Sequence, residues 1–269
     1  MPPAYRNTPH LVDRIRTTLR AALACAVATG CLDNAARAAP CAFEPQGEGR
    51  VAAIIDARSF RLTDGREVRL AGIEPVSAEG AKRTSPLTAL IGGRDVTLRA
   101  DDDAPDRYGR QTAFVFVAGD ENSVQAALLS QGEAFSAGDT PDKDCAAALL
   151  AAEAAGREEK KGIWAGPSAT QKAESTGDIL AGNGRFMLVE GRVLSVRQAG
   201  ATTYLNFGRN WTRDFAVTIS RRVLPSLEAA GMAPKSLENR RIRVRGFIEA
   251  RTGPRIELLR PGQLELLAN

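Results

Sequence analysis

Histidine is almost missing. The single one, His10, stands within the first ten of 269 residues. A chain without histidine beyond that point has no Ser-His-Asp or Cys-His triad, no histidine general base and no His-ligated zinc. Apolar runs are short as well: none reaches the ~18–20 residues of a membrane-spanning helix. Aromatics make up 5% of the chain and cysteines number four. The 43% hydrophobic and 25% charged fractions exclude global disorder, and the length suits about two domains of ~100–150 residues each.

What is present starts with an export-type leader. Arg6, Arg14, Arg16 and Arg20 face one acid, Asp13, within the first twenty residues. A short small-apolar stretch follows at residues 21–32, then Ala36-Arg37-Ala38 before Ala39-Pro40. A basic start, an apolar stretch and an A-x-A site make a secretory signal peptide over residues 1–38, so the protein is expected outside the cytoplasm, periplasmic or secreted. A lipoprotein ending at Cys31 fits less well, because Ala28 is a poor match three residues before it. Removing the leader takes five arginines and two acids from the 36 bases and 32 acids, and the net charge falls from +4 to +1. Cys41 and Cys145 remain, too few for a structural zinc site. In an oxidising compartment they read as one disulfide; two free buried thiols are the alternative.

The segment at residues 168–184 is small, polar and without periodicity, which is the pattern of a linker. It separates a domain at 39–167 from one at 185–269. Charge divides with it: residues 39–176 sum to −6 and residues 177–269 to +7. Opposite signs suit domains that touch, or a second domain that holds a polyanion.

In the first domain, residues 49–56 are apolar and β-branched. Residues 59–62 and 67–73 flank Thr63-Asp64-Gly65-Arg66, a hairpin turn signal. Residues 95–99 and 111–118 read as strands. Residues 123–131 read as a helix, capped by Ser123 and stopped by Gly132, and 144–161 as a longer helix. The second domain reads strand–strand–strand–helix–strand–strand, the order of the five-stranded OB barrel.

Four motifs of the first domain carry a resemblance: Arg69-Leu70-Ala71-Gly72-Ile73-Glu74, Asp106-Arg107-Tyr108-Gly109-Arg110, Val124-Gln125-Ala126-Ala127-Leu128 with Gly132 and Ala134, and Lys160-Lys161-Gly162-Ile163-Trp164. From about Gly49 to Trp164 the chain resembles the staphylococcal-nuclease (thermonuclease) family. The resemblance implies an OB-type barrel with helices for the first domain. With the strand order of the second, the expected fold is mainly β with helices, two five-stranded OB-type barrels in tandem, the first of nuclease type. The resemblance also implies a Ca²⁺-dependent phosphodiesterase chemistry built from carboxylates and two arginines. Arg69 and Arg110 stand at the two arginine positions, and Tyr108 is placed to face a base. The carboxylates depart from the pattern. The Asp-Gly-Asp-Thr turn is Asp56-Ala57-Arg58-Ser59 here, so an arginine replaces a metal-binding acid. Glu74 replaces an aspartate, and Pro75-Val76-Ser77 stands where Pro-Glu should supply the water-activating acid. Glu79 and the run Asp101–Asp103 are the nearby acids that remain.

The sequence therefore leads to a nuclease-like protein with an impaired site, which holds single-stranded nucleic acid or another polyanion; no cofactor is assigned, and Ca²⁺ enters only if the family activity survives. The first alternative is a Ca²⁺ phosphodiesterase with rearranged carboxylates around Glu74. The second is a non-catalytic envelope module that binds a partner protein. In the second domain Arg241, Arg243 and Arg245 alternate along one strand and form the candidate basic face. Trp211, in a polar turn, is the candidate exposed aromatic, while Phe207, Phe215 and Phe247 are expected to fill the barrel.

Overall fold

The computed structural model describes residues 41, 43–76 and 85–268, together with Met1. Apart from Met1, the leader expected at 1–38 lies outside the described residues, as do Ser77 and Glu79. Residues 38–269 form one compact unit.

The first half runs β1 (Pro45–Asp56), β2 (Ser59–Leu62), β3 (Glu67–Leu70), β4 (Ile73–Pro75), α1 (Pro86–Ile91), β5 (Asp95–Arg99), β6 (Gln111–Val117), α2 (Val124–Ser130), β7 (Ala134–Ser136) and α3 (Lys143–Glu158). Strands β1-β2-β3-β6-β5 close a barrel. Closure needs one strand to serve two neighbours. β1 does this by bending: residues 45–50 pair with β5, and residues 51–56 pair with β2. Gly65 supplies the positive φ (92°) that the β2–β3 turn requires. β6 lies parallel to β3 with Arg69 opposite Thr112, the crossover that marks OB topology. Phe60, Leu62, Val68, Leu70, Leu98 and Val115 fill the interior. Each such side chain contributes about 1.5–3 kcal/mol on burial.

Two helices, α2 and α3, start at side-chain caps. The Ser123 side chain accepts from the Ala126 N–H at 3.2 Å, and Asp142 accepts from the Cys145 N–H at 2.7 Å. Gly132 closes the first at φ 68°. A disulfide ties Cys41 to Cys145 on α3.

The second half runs β8 (Gln171–Lys172), α4 (Thr176–Ala181), β9 (Phe186–Arg192), β10 (Ser195–Ala199), β11 (Thr202–Asn206), β12 (Ala216–Ser220), α5 (Leu224–Ala229), β13 (Arg241–Ala250), β14 (Pro254–Leu258) and β15 (Leu264–Leu266). It is a curled sheet in the order β10-β11-β12-β14-β13-β9-β8, with β15 on β13. β9 and β10 are two halves of one strand broken at Val193-Leu194. One half pairs with β13, the other with β11, and β12 lies parallel to β14. The order is that of the first barrel, with β8 and β15 added.

Two expectations change here. Residues 168–184 are not an unstructured linker: β8 pairs with β9, and Ala173 and Ile179 are buried in the second core. Their polar composition hid two apolar anchors. Phe207 and Phe215 fill that core, but Phe247 is exposed. It shares the odd-numbered face of β13 with Arg241, Arg243 and Arg245, which is the face turned away from the core.

The halves meet through a small apolar cluster of Phe135, Trp164, Ala169 and Leu188. Beside it lies a charged cluster. Arg245, 0% exposed, donates to both Glu153 oxygens (2.8 and 3.1 Å), to the Ser136 carbonyl (2.8 Å) and to Glu265. Gly138 and Gly262 complete the seam; a Cβ on Gly138 would lie 2.5 Å from the Gly262 carbonyl.

Candidate nucleic-acid interface

The candidate site sits where the β1–β2 turn, the end of β3 and β4 converge. Asp56 shapes the turn by accepting the Arg58 N–H at 2.8 Å. After β3, the chain bends at Gly72 (φ 71°), where a Cβ would lie 2.8 Å from the Thr140 hydroxyl. That bend starts β4, which places Glu74 opposite Phe135 of β7. These elements wall a cleft of about 300 Å³ that contains Arg58, Arg69, Glu74, Asp101, Asp102 and Asp139.

Arg58 pairs directly with Glu74 and donates to the Ile73 carbonyl at 3.4 Å. Arg69 approaches the same Glu74 oxygen only to 3.8 Å and is 28% exposed. Burial first, then the positive charge of Arg58, holds the pKa of Arg69 below its usual value; Glu74 opposes this. Arg69 stays protonated, because arginine gives up its proton only far above neutrality. The result is a half-buried cation, beside a second cation, without a close acid of its own.

Arg110 is placed differently. The Asp106-to-Arg110 segment is a self-bonded turn. Asp106 accepts from the backbone N–H groups of Tyr108 (2.8 Å) and Arg110 (3.1 Å), and from the Arg110 guanidinium at 2.7 and 3.0 Å. The Arg110 hydrogen bond, above all, lowers Asp106 to about 2. Tyr108 is exposed, with Arg107 at 4.7 Å and Arg110 at 5.0 Å from its ring centre.

Among the described residues no group of three or more Asp, Glu, His or Cys side chains could hold a metal ion. Asp101 and Asp102 line the cleft without joining Glu74 in such a group. Calcium takes 6–8 oxygen ligands. Here the best-placed carboxylate, Glu74, is already neutralised by Arg58. A metal ion ~4 Å from that guanidinium meets roughly 4 kcal/mol of repulsion per unit of its charge at an effective dielectric of ~20. The described residues do not fit calcium.

One strand that carries a cleft arginine, the bonded Asp-Arg-Tyr-Gly-Arg turn, and the short 3-10 turn Gly162–Ala165 that follows α3 all fall within a single segment. Residues 68–166 match the family Staphylococcal nuclease homologue. No curated protein matches the chain. The nuclease-homologue segment begins at β3, so the β1–β2 turn that carries Arg58 lies just before it.

The second-domain candidates separate. Arg241 is exposed, 3.9 Å from Glu190. Arg243 is held between Glu190 (2.7 Å) and Glu265 (3.0 Å), and Arg245 is enclosed between the domains. Alternation does place the three on one face, but at Arg245 that face is closed by Glu153 of α3, and Arg243 sits between two acids. It is a seam rather than an open basic groove. Trp211 lies elsewhere and is 69% exposed. Sequence reasoning missed Arg58 as Glu74's partner and Asp139 in the same cleft. Burial raises the Asp139 carboxyl above its usual range, against the pull of Arg260, Arg58 and Arg69.

Proposed function

We propose that the first domain binds the phosphodiester backbone of nucleic acid without calcium and without efficient cleavage. One observation carries this reading: the Arg58 guanidinium is paired with Glu74 where the family chemistry asks for a metal held by acids. A guanidinium supplies positive charge and a planar fork of donors to phosphate oxygens. It supplies no activated water. Arg69, with only a long contact to Glu74, is the donor available to an incoming phosphate. Arg110, fixed by Asp106, adds charge from the side, and exposed Tyr108 offers a ring to a base. The disulfide and the leader favour an exported protein, periplasmic or secreted, as its setting. Among the described residues no helix is long and apolar enough to cross a membrane.

The test is site-specific. The side-chain Nε–H resonance of Arg69, assigned through Arg69→Lys, is followed as a single-stranded oligonucleotide is added in chelator. The reading expects that resonance to shift, and affinity to fall steeply as salt rises. An unmoved Arg69 resonance at saturating oligonucleotide contradicts it.

A further inference from the structure

The outer face of the second-domain sheet carries a cleft independent of the first-domain site. Along β10, β11, β12 and β14, Val196, Leu205, Val217 and Ile256 point into the core. The alternate positions point the other way. Arg197 is directly opposite Tyr204, Tyr204 opposite Thr218, and Ala216 opposite Arg255. Small side chains at Ala199, Ala216 and Thr218 make a low floor. Tyr204, Trp211, Arg197, Arg251 and Arg255 stand around it, enclosing about 500 Å³. That volume lies within the range of small-ligand sites.

The loop carrying Trp211 is built to hold it out. The Asn210 side-chain oxygen accepts from the Thr212 N–H (3.2 Å) and hydroxyl (2.7 Å). The Asn210 N–H donates to Asp214 at 2.7 Å, and the Arg213 and Asp214 N–H groups donate to the Asn210 carbonyl at 3.0 and 2.8 Å. Gly208 is required, because a Cβ there would overlap the Asp214 carboxylate. The adjoining turn packs on this loop: a Cβ on Gly253 would lie 3.0 Å from the Arg213 carbonyl. The two loops form a rim fixed in advance, and the large ring they present gains nothing from the core.

Charge selects the occupant. Arg251 and Arg255 share Glu249. Three arginines line the cleft against one acid, Asp214, which is occupied in the loop by the Asn210 N–H; among the described residues the Arg197 guanidinium has no acid or hydrogen-bond partner. Flat rings beside an unpaired cation suit a ligand that is both planar and anionic. OB-type sheets offer single strands this combination of stacking rings and phosphate contacts on the face between their second and third strands, here β11 and β12. We propose that this cleft binds single-stranded nucleic acid, with a base against Trp211 and Tyr204 and its phosphate at Arg197. The proposal does not rest on the reading of the first domain.

The protein contains two tryptophans, and Trp164 is buried, so Trp211 reports on the cleft by fluorescence. The full chain is titrated at low salt with a five-residue oligothymidylate, short enough to occupy one OB-type site. The expected result is quenching of Trp211, retained in an Arg69→Ala background. By anisotropy of a labelled oligothymidylate in the Arg69→Ala background, Trp211→Ala and Arg197→Ala are each expected to weaken binding roughly tenfold. Arg221→Ala, an equal loss of charge outside the cleft, is expected to change it less than twofold. Two results overturn the proposal: no quenching at low salt, or undiminished affinity in both cleft variants. Quenching by a neutral oligosaccharide but not by the oligothymidylate overturns it as well.

Discussion

Replacing Arg245 by methionine tests how the two halves hold together. The side chain is fully enclosed, and its partners are Glu153, itself 0% exposed, and Glu265. Burial alone would lower the Arg245 pKa; the two carboxylates overcome this and raise it. Methionine fills most of the volume and removes the charge. Glu153 is then enclosed without a cation, and the Ser136 carbonyl loses its donor. Breaking a buried pair from one side costs about 3–5 kcal/mol. For a chain of this size that corresponds to roughly 6–20 °C in melting temperature. The double variant Arg245→Met, Glu153→Met removes both charges and is expected to recover at least half of the loss. The deficit also depends on pH. Glu265 is pushed up by desolvation but held below 4.5 by Arg245 and Arg243. A carboxylate with a depressed folded pKa stabilises above its unfolded value and loses that contribution as pH falls. Without Arg245 this contribution shrinks, so the deficit is largest near neutrality and narrows below about pH 4.5. The assay is thermal unfolding by circular dichroism between pH 4 and 8. A loss under about 1 kcal/mol, or a double variant no better than the single one, refutes the reasoning.

Three more perturbations have definite outcomes. Cys41 and Cys145 close a loop across 104 residues, so the Cys41→Ser, Cys145→Ser variant should lose about 2–5 kcal/mol in urea unfolding; an unchanged midpoint counts against it. A carboxyl-carbon NMR titration should place Asp106 near 2, with its turn bonds intact until that pH, and a midpoint near 4 would mean that Arg110 is not held. Arg58→Asp exchanges the cleft cation for an acid beside Glu74. Calcium at ten times the resulting Kd should then stabilise the variant by about 1.4 kcal/mol and leave the wild type unchanged, as read by thermal shift.

Local rules carried most of the fold. The turn at Gly65 and the Ser123 cap each depend on residues close in sequence, so they were legible; the bend of β1, which comes from its pairing with β5, was not. The disulfide was legible as one of two options, because only two cysteines lie beyond the expected leader. The departures from local reading have long-range causes. Three alternating arginines look like a solvent face until Glu153, 92 residues from Arg245, closes over the strand. Residues 168–184 look like a linker because their two apolar anchors sit among polar neighbours. In the candidate site, the replacement of an acid by Arg58 was visible. Its pairing with Glu74, and the isolation of Arg69 that follows, required the turn and β4 to be brought together. Of the second cleft only Trp211 was marked in the sequence, because Arg197, Tyr204, Trp211 and Arg255 come from four separate segments.

The most direct test of the metal-free reading is incubation of the full chain with a labelled single-stranded oligonucleotide in Ca²⁺, in Mg²⁺ and in chelator, with cleavage and binding measured on the same samples. The account predicts binding in all three, falling with salt, and no metal-dependent cleavage. Cleavage that requires Ca²⁺ and is lost on Arg69→Ala, Arg110→Ala would show that the family chemistry operates with other carboxylates and would contradict the account.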